Sequence, residues 1–268
     1  MLGVSGMNEN SATRTAQQYA AILKDTIGLT SLPVGVTFLD GMSADDHSSN
    51  DYRLCQAVME ARKGKRVVLH KENISCPAAA AALGLKPLSK QLQDGTMLCG
   101  YGIFKTKDAA VRVMETMPRL KPEQFVAIEV KPLEVCEQIP DVVVLEDAVE
   151  KLMWIALAYL NEEGGRLDFS TSILQAACVD SVVLPFLSGK INMTFGCYGC
   201  RDATDAASSE ALLGFPGDKL PMVTENLTFL KSQAIDRSRA KNVYKAFAQR
   251  TATAGSQLQP HAQEGLSK

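Results

Sequence analysis

Apolar and polar positions follow two different periods along the middle of the chain. Short β-branched runs predict strands at 33–39 (PVGVTFL), 125–132 (FVAIEVKP) and 141–146 (DVVVLE). Longer segments with apolar residues every three or four positions predict helices, for example at 16–28 and at 147–163 (DAVEKLMWIALAYLNEE). Because strands and helices alternate, we predict a mixed α/β, or α+β, fold.

One pattern occurs twice. CQAVMEARKGKRVVLHKENISCP (55–77) and CVDSVVLPFLSGKINMTFGCYGC (178–200) each contain a cysteine, a short helix, a glycine, a strand and a second cysteine. This repeat predicts an internal duplication into two related α/β halves with small mixed sheets, residues 16–150 and 151–240. The second half carries the CxxC loop.

The similarity between the halves continues after the repeated cysteines. YGIFKTKDAAVRVMETMPRL (101–120) resembles LLGFPGDKLPMVTENLTFL (212–230). We therefore expect each half to contain an aromatic strand followed by a lysine-containing turn and a helix. The chain ends, residues 1–15 and 251–268, lack periodicity and are expected to be flexible tails.

Composition narrows the class of protein. Hydrophobic residues make up 46% of the chain and charged residues 22%, which is typical of a globular protein. The formal net charge is −2, so there is no basic excess for binding nucleic acid. No apolar run reaches the ~20 residues of a membrane span, and the first residues do not resemble a secretory signal. We expect a cytoplasmic protein that binds neither nucleic acid nor membrane.

Cysteine is the residue type that suggests chemistry. The chain contains seven cysteines, and in a reducing compartment such an excess favours metal or redox roles over disulfides. The repeat places Cys55 and Cys178 at matching helix starts, and Cys76 and Cys197 at matching strand ends. If a pseudo-twofold axis relates the halves, these four residues and Cys200 would form one cofactor-binding site.

Thiolates are soft ligands that bind iron–sulfur clusters, zinc or copper(I). The small residues around the CxxC loop and the origin of the ligands in distant segments favour a [4Fe–4S] cluster, with zinc as the alternative cofactor. We expect Cys76, Cys197 and Cys200 to be metal ligands, with a fourth thiolate from Cys55 or Cys178. Three ligands would leave an iron open to a substrate, as in an enzyme, whereas four would indicate electron transfer or a structural role.

Other residues fit less well into this site. Cys99 and Cys136 have no counterpart in the repeat and are interpreted as packing residues. His70 is interpreted as a histidine at a strand end. A thioredoxin-like role for CYGC is disfavoured, because the polar segment RDATDAASSE (201–210) lacks the apolar residues of a long helix.

Two other classes of function stay open. Arg53, Lys71 and Arg201 lie beside helix starts and suggest a non-redox protein that binds small molecules or anions. The same cysteines could instead belong to a zinc-stabilised interaction module.

Three motifs together resemble a known family. RLCQAVMEARKGKRVVLHKENISCPAAAAALGL (53–85), FGCYGCRDATD (195–205) and ALLGFPGDKL (211–220) are similar to the uncharacterised archaeal and bacterial family called domain of unknown function 169. The resemblance covers most of residues 16–232 and carries no established activity. It implies a cytoplasmic protein typical of anaerobes and archaea, which suits an oxygen-sensitive cluster.

The resemblance also draws attention to Arg201, which falls in the GCxGCR pattern and is our candidate catalytic residue. The expected partner is a small-molecule substrate or an electron-transfer protein, and the sequence allows a homo-oligomer.

Overall fold

The computed structural model describes residues 14–43, 46 and 50–239. The helices are α1 (Ala16–Ile27), α2 (Leu54–Arg62), α3 (Pro77–Ala82), α4 (Lys90–Gln93), α5 (Thr96–Gly100), α6 (Lys107–Glu115), α7 (Val149–Leu160), α8 (Leu184–Ser188), α9 (Tyr198–Ala203), α10 (Leu220–Leu230) and α11 (Asp236–Arg239). Two π-helices (Ala176–Val183 and Lys231–Ile235) precede α8 and α11, and short 3-10 turns (Leu133–Val135 and Gly217–Lys219) follow two of the strands. The strands are β1 (Val34–Leu39), β2 (Val67–His70), β3 (Ala127–Pro132), β4 (Val142–Ala148), β5 (Asn192–Thr194) and β6 (Glu210–Pro216).

The strands form one six-stranded antiparallel sheet in the order β2-β3-β1-β4-β6-β5. The central pair is β1 and β4, in which Val34 lies opposite Val144 and Val36 lies opposite Val142. The first three strands of the chain therefore form one side of the sheet and the last three form the other.

Both faces of the sheet are covered by large apolar cores, and a small third cluster contains Cys197 and Cys200. Side chains of β4 alternate between the two large cores, with Val142 and Val144 in one core and Val143 and Leu145 in the other. The first core packs against α2, α3 and the π-helix before α8. The second core packs against α1, α7 and α10. The cysteine-bearing elements α2, α3 and this π-helix thus lie on the same face of the sheet.

Local sequence accounts for the ends of the first helix. Thr15 accepts a hydrogen bond from the Gln18 amide, and the Gln18 side chain bonds back to Thr15, which forms a capping box. The helix ends at Gly28, whose φ of 65° is favourable for glycine. Thr15 and Arg14 are the described part of the tail predicted at 1–15; the rest of it, and the tail predicted at 251–268, lie outside the described residues.

The predicted mixed α/β class is confirmed, but two details are wrong. The two halves share one continuous antiparallel sheet instead of having separate small mixed sheets. Residues 101–104 form turns between α5 and α6, so the aromatic strand expected there is absent. The strand that occupies the position equivalent to β6 is β3, which begins at Ala127, after the segment 101–120.

The strand order bears on the predicted duplication. Outward from the sheet centre the order is β1, β3, β2 on one side and β4, β6, β5 on the other, which is the same order within each group of three strands. β4 (Val142–Ala148) lies before the predicted boundary between residues 150 and 151. A 3-10 turn follows both β3 and β6. A duplication would produce this arrangement, but strand order does not establish common ancestry, and the duplication and its boundaries stay predictions.

Candidate functional site

The five cysteines expected to form one site line a single cavity of about 530 Å³. They are Cys55, Cys76, Cys178, Cys197 and Cys200. Three of them are almost completely buried, because Cys178 and Cys200 are each 5% exposed and Cys197 is 7% exposed. Segments more than a hundred residues apart in the chain therefore bring their sulfur atoms to the same place.

Helix ends position these sulfurs. Cys55 is the second residue of α2, and Cys178 is the third residue of the π-helix that packs beside it. Cys76 is the N-cap residue immediately before α3, and Cys197 is the N-cap residue immediately before α9. Cys200 follows within α9. The predicted correspondence of two helix-start cysteines and two cysteines after strands is thus matched by their places in the fold.

The segment before Cys178 has an unusual backbone. Ile173 and Gln175 have φ angles of 57° and 56°, which are unfavourable for residues with a side chain. The π-helix that follows packs closely on β6, where a Cβ on Gly214 would lie 1.8 Å from the Ser181 carbonyl oxygen. π-helices and strained residues are both enriched at functional sites. The backbone around Cys178 has the features of such a site.

The CxxC pair is in direct contact. The Sγ atoms of Cys197 and Cys200 are 3.1 Å apart, and the Cys200 amide donates to the Cys197 sulfur at 3.3 Å. Cys55 forms a hydrogen bond with Cys200. The CxxC loop of the second half is therefore linked through sulfur to α2 of the first half.

The environment keeps these thiols protonated. A hydrogen bond with Cys200, followed by burial, raises the pKa of Cys197 well above its usual value. At Cys200 the hydrogen bond with Cys197 lowers the pKa, but the bond with Cys55 and burial outweigh it and raise the pKa to about 12. Burial, and then the neighbouring thiols of Cys76, Cys200 and Cys197, raises the pKa of Cys178. A metal bound as a thiolate complex would have to displace these protons.

Arg53 lies at the cavity and connects the start of α2 to the CxxC loop. Its guanidinium donates a hydrogen bond to the Gly199 carbonyl at 3.2 Å and lies 3.9 Å from the Asp202 carboxylate. Both Arg53 and Asp202 line the cavity. The two opposite charges at this wall therefore offset each other.

Arg201 has a different place from the one its motif suggested. Its guanidinium donates to the carbonyl oxygens of Phe195, Ala207 and Glu210 at 2.5 to 2.6 Å. Arg201 is not among the residues that line the cavity. It holds together the backbone on both sides of the CxxC loop, which gives it a role in positioning this loop.

Lys71 and His70 also lie away from the cavity lining. The Nδ1 atom of buried His70 is 2.6 Å from a Glu72 carboxylate oxygen, and exposed Lys71 lies 4.0 Å from the same carboxylate group. The three basic residues considered as an anion site, Arg53, Lys71 and Arg201, are thus not gathered at one place.

The two cysteines assigned to packing lie outside the lining as well. Cys136 is buried in the core under α1, and its thiol lies 3.5 Å from the Pro132 carbonyl oxygen. Burial raises the pKa of Cys136 to about 11. Cys99, in α5, packs against the other core. These two residues supply comparison positions for experiments on the five cavity cysteines.

A second wall of the cavity was not predicted from the sequence. It is apolar and comes from α4, α5 and the turns that follow them, with Leu92, Met97, Leu98, Tyr101 and Ile103. Gln175 also lines the cavity. The only signal for this wall was the long connection between β2 and β3, and nothing in the sequence indicated where that connection packs.

Fold and site together define a class: an α+β protein with one antiparallel sheet and a cysteine-lined cavity formed by both halves of the chain. The model of the family described as Uncharacterised ArCR, domain of unknown function 169, matches residues 22–226. The chain belongs to this family. This confirms the resemblance carried by the CQAVMEARKGKR, SCPAAAAALG and GCYGCR motifs.

The chain is also similar to an uncharacterised protein, MJ0308, of the archaeon Methanocaldococcus jannaschii. The two are 27% identical over 175 residues, which cover 65% of this chain and 75% of the archaeal protein. No solved structure matches the chain. Within the described part of the chain, no helix has the length and apolar character that crossing a membrane requires.

Proposed function

We propose that the protein holds a [4Fe–4S] cluster in the cysteine-lined cavity and has a redox or cluster-based catalytic role. Cys76, Cys197 and Cys200 are three of the ligands, and Cys55 or Cys178 is the fourth. The observation that carries the proposal is the arrival of all five sulfurs at one cavity from both halves of the chain.

The donors at this cavity are cysteine thiols, and five of them are available, which suits a centre bound by four thiolates. Among the described residues no three or more His, Cys, Asp or Glu side chains are arranged to hold a metal ion, so binding either a zinc ion or a cluster would require these side chains to move. A zinc ion with Zn–S bonds of ~2.3 Å gathers its four sulfurs within about 4 Å of one another. A [4Fe–4S] cluster bonds each of four thiolates to a different iron, so its ligands surround a larger volume. For this the Cys197 and Cys200 side chains, now in contact, would rotate apart.

The protein contributes burial and orientation to this centre. Cys178, Cys197 and Cys200 are shielded from water, which protects a cluster from solvent. Arg53 holds the CxxC loop through the Gly199 carbonyl. A bound cluster would supply one-electron chemistry at this position. Because five cysteines are available for four iron positions, one thiol is left beside the cluster.

The environment of the protein follows from the same proposal. All seven cysteines are free thiols, which supports a cytoplasmic, reducing location. The partner is a small-molecule substrate or an electron-transfer protein. In either case the protein could form a homo-oligomer. Two alternatives stay open. A zinc-stabilised interaction module would use the same five cysteines, whereas for a non-redox anion-binding protein only Arg53 among Arg53, Lys71 and Arg201 lines the cavity.

Anaerobic purification tests the proposal. We expect a coloured protein with about four iron and four sulfide per chain, and an electron paramagnetic resonance signal after reduction. Cys200→Ser should lose most of the iron, whereas the matched control Cys136→Ser should keep it, because Cys136 lies outside the cavity. A colourless wild-type protein with stoichiometric zinc, or full iron content in Cys200→Ser, would disprove the proposal.

The same measurement identifies the fourth ligand. Cys55→Ser and Cys178→Ser should differ, because only one of these thiols completes the set. The variant that retains four irons marks the spare thiol. Equal and complete loss of iron in both variants would show that all five sulfurs are needed.

A further inference from the structure

The cavity has a wall that metal binding does not require. It is formed by Leu92, Met97, Leu98, Tyr101 and Ile103. These residues belong to the connection 71–126 between β2 and β3. The connection between β5 and β6, residues 195–209, is much shorter and carries only the CxxC loop and α9. The apolar wall therefore has no counterpart there, and it lines the same cavity as the sulfurs.

The enclosed space has the properties of a small-molecule site. Its volume of about 530 Å³ lies within the range of about 300–1,000 Å³ found for ligand pockets. Methionine and tyrosine side chains, such as Met97 and Tyr101, contact aromatic rings favourably. The wall thus suits a molecule with an apolar, ring-shaped body.

Charge and hydrogen bonding refine this class of ligand. The charged residues of the lining, Arg53 and Asp202, face each other at 3.9 Å, so neither offers an uncompensated charge. The Oε1 atom of Gln175 has no hydrogen-bond partner among the described residues and almost no accessible surface, so it would meet a ligand only if the Gln175 side chain turned towards the cavity that it lines. Since an unpaired buried acceptor is costly, a ligand that donates one hydrogen bond to this oxygen would stabilise the site.

We propose that the cavity binds a small neutral aromatic molecule with one hydrogen-bond donor, held by the apolar wall beside the cysteines, with Gln175 Oε1 as acceptor once the Gln175 side chain turns towards the cavity. The description of this molecule as a substrate rests on the proposed cluster; the binding site itself does not.

Four probes of similar size test the ligand class in the full-length, anaerobically purified protein. They are p-cresol, toluene, benzoate and benzylamine, and their binding is followed by ligand-detected saturation-transfer nuclear magnetic resonance. We expect p-cresol to bind about fivefold more tightly than toluene, which is the effect of one hydrogen bond. Benzoate and benzylamine should bind at least about tenfold more weakly than p-cresol, because a charge would be buried without a partner. Equal or tighter binding of either charged probe would overturn the proposal.

Three variants locate the site. Met97→Trp fills the space and should weaken p-cresol binding at least about tenfold, whereas Met222→Trp, a half-buried methionine on α10, should not. Gln175→Leu should remove the preference for p-cresol over toluene. Unchanged p-cresol binding by Met97→Trp, or an unchanged preference in Gln175→Leu, would refute the site. If Met97→Trp does not fold by circular dichroism, Gln175→Leu alone decides.

Iron and sulfide are measured in the same samples, so the two proposals can fail separately. Selective p-cresol binding by a protein that never contains iron supports the site and defeats the cluster. Full iron content with no selective binding supports the cluster and defeats the site.

Discussion

Replacing Arg62 by methionine should destabilise the protein strongly, because Arg62 pairs with two buried carboxylates. Its guanidinium donates to both carboxylate oxygens of Glu210, at 2.6 and 3.1 Å, and lies 3.0 Å from Glu146. The side chains of Arg62, Glu210 and Glu146 are 12%, 11% and 5% exposed. Arg62 ends α2, while the carboxylates belong to β4 and β6. The contact fixes the Cys55 helix against the second half of the chain.

The expected destabilisation by Arg62→Met follows from the loss of one partner in a buried ion pair. Such a loss costs about 3–5 kcal/mol of unfolding free energy. For a domain of this size that corresponds to a fall in melting temperature of about 6–20 °C. Methionine keeps most of the aliphatic volume of arginine, so the cavity left behind adds little. The loss should therefore come mainly from the unpaired carboxylates.

The pH dependence distinguishes this explanation from a packing defect. Burial raises the pKa of Glu146, and Arg62 opposes that rise. A carboxyl group whose folded pKa is raised contributes stability below its unfolded pKa of about 4.3 and loses it as pH rises through the folded value. Without Arg62 the folded pKa rises further, so the loss at pH 7 is larger. The difference in unfolding free energy between Arg62→Met and the wild type should be largest at pH 7 and should shrink as pH falls towards 4.

Urea unfolding followed by circular dichroism at pH 7 and at pH 5 measures both effects. The matched control is Lys63→Met, because the neighbouring Lys63 pairs with Asp205 at 2.7 Å but both side chains are exposed. We expect that control to lose less than about 1 kcal/mol. A loss below about 1 kcal/mol in Arg62→Met at pH 7, or the same loss at pH 5, would refute the reasoning.

Two further predictions concern the stability of other parts of the fold. Gly214→Ala should cost about 3 kcal/mol in thermal unfolding, because its Cβ would meet the Ser181 carbonyl oxygen at 1.8 Å. The control is Gly41→Ala, because a Cβ at Gly41 would have no atom within 4 Å. Equal losses of stability in the two variants would contradict the explanation by a steric clash. Asp46→Asn should cost about 1–2 kcal/mol above pH 4, because hydrogen bonding to Arg66 lowers the pKa of Asp46 to about 2. The difference in unfolding free energy between Asp46→Asn and the wild type should disappear when the pH is lowered below 2. A difference that stays constant over this pH range would contradict the prediction.

Local sequence predicted the strands better than it predicted the sheet. The β-branched run at 33–39 contains β1, and the run at 141–146 covers most of β4 (Val142–Ala148), because buried strands need such side chains. Pairing partners are set by contacts between distant segments, and the local pattern does not contain them. The segment YGIF (101–104) resembles a strand in composition, but it follows α5 directly and includes Gly102 with a φ of 70°. Its neighbours turn the chain before a strand can form.

The sequence predicted the sulfurs of the site but not the rest of its lining. The repeat brought Cys55, Cys178 and their partners into correspondence, because position in a repeat carries over to position in space. Gln175 gave no such signal, since its importance depends on a strained backbone and a buried oxygen. Arg201 was singled out by its motif, but its bonds to three carbonyl oxygens could not be read from spacing.

The two walls of the cavity arise from different kinds of chain segment, and this suggests a division of roles. The sulfur wall comes from elements present in both halves: a helix with a cysteine near its start, and a cysteine that begins a short helix after a strand. The apolar wall comes from the connection 71–126, which has no counterpart of similar length in the second half. If a cluster is held by the shared elements, changes in this connection would alter which molecule fits without altering the ligands. Relatives that keep the five cysteines but differ at the positions of Met97 and Ile103 would then bind the same cluster beside different small molecules.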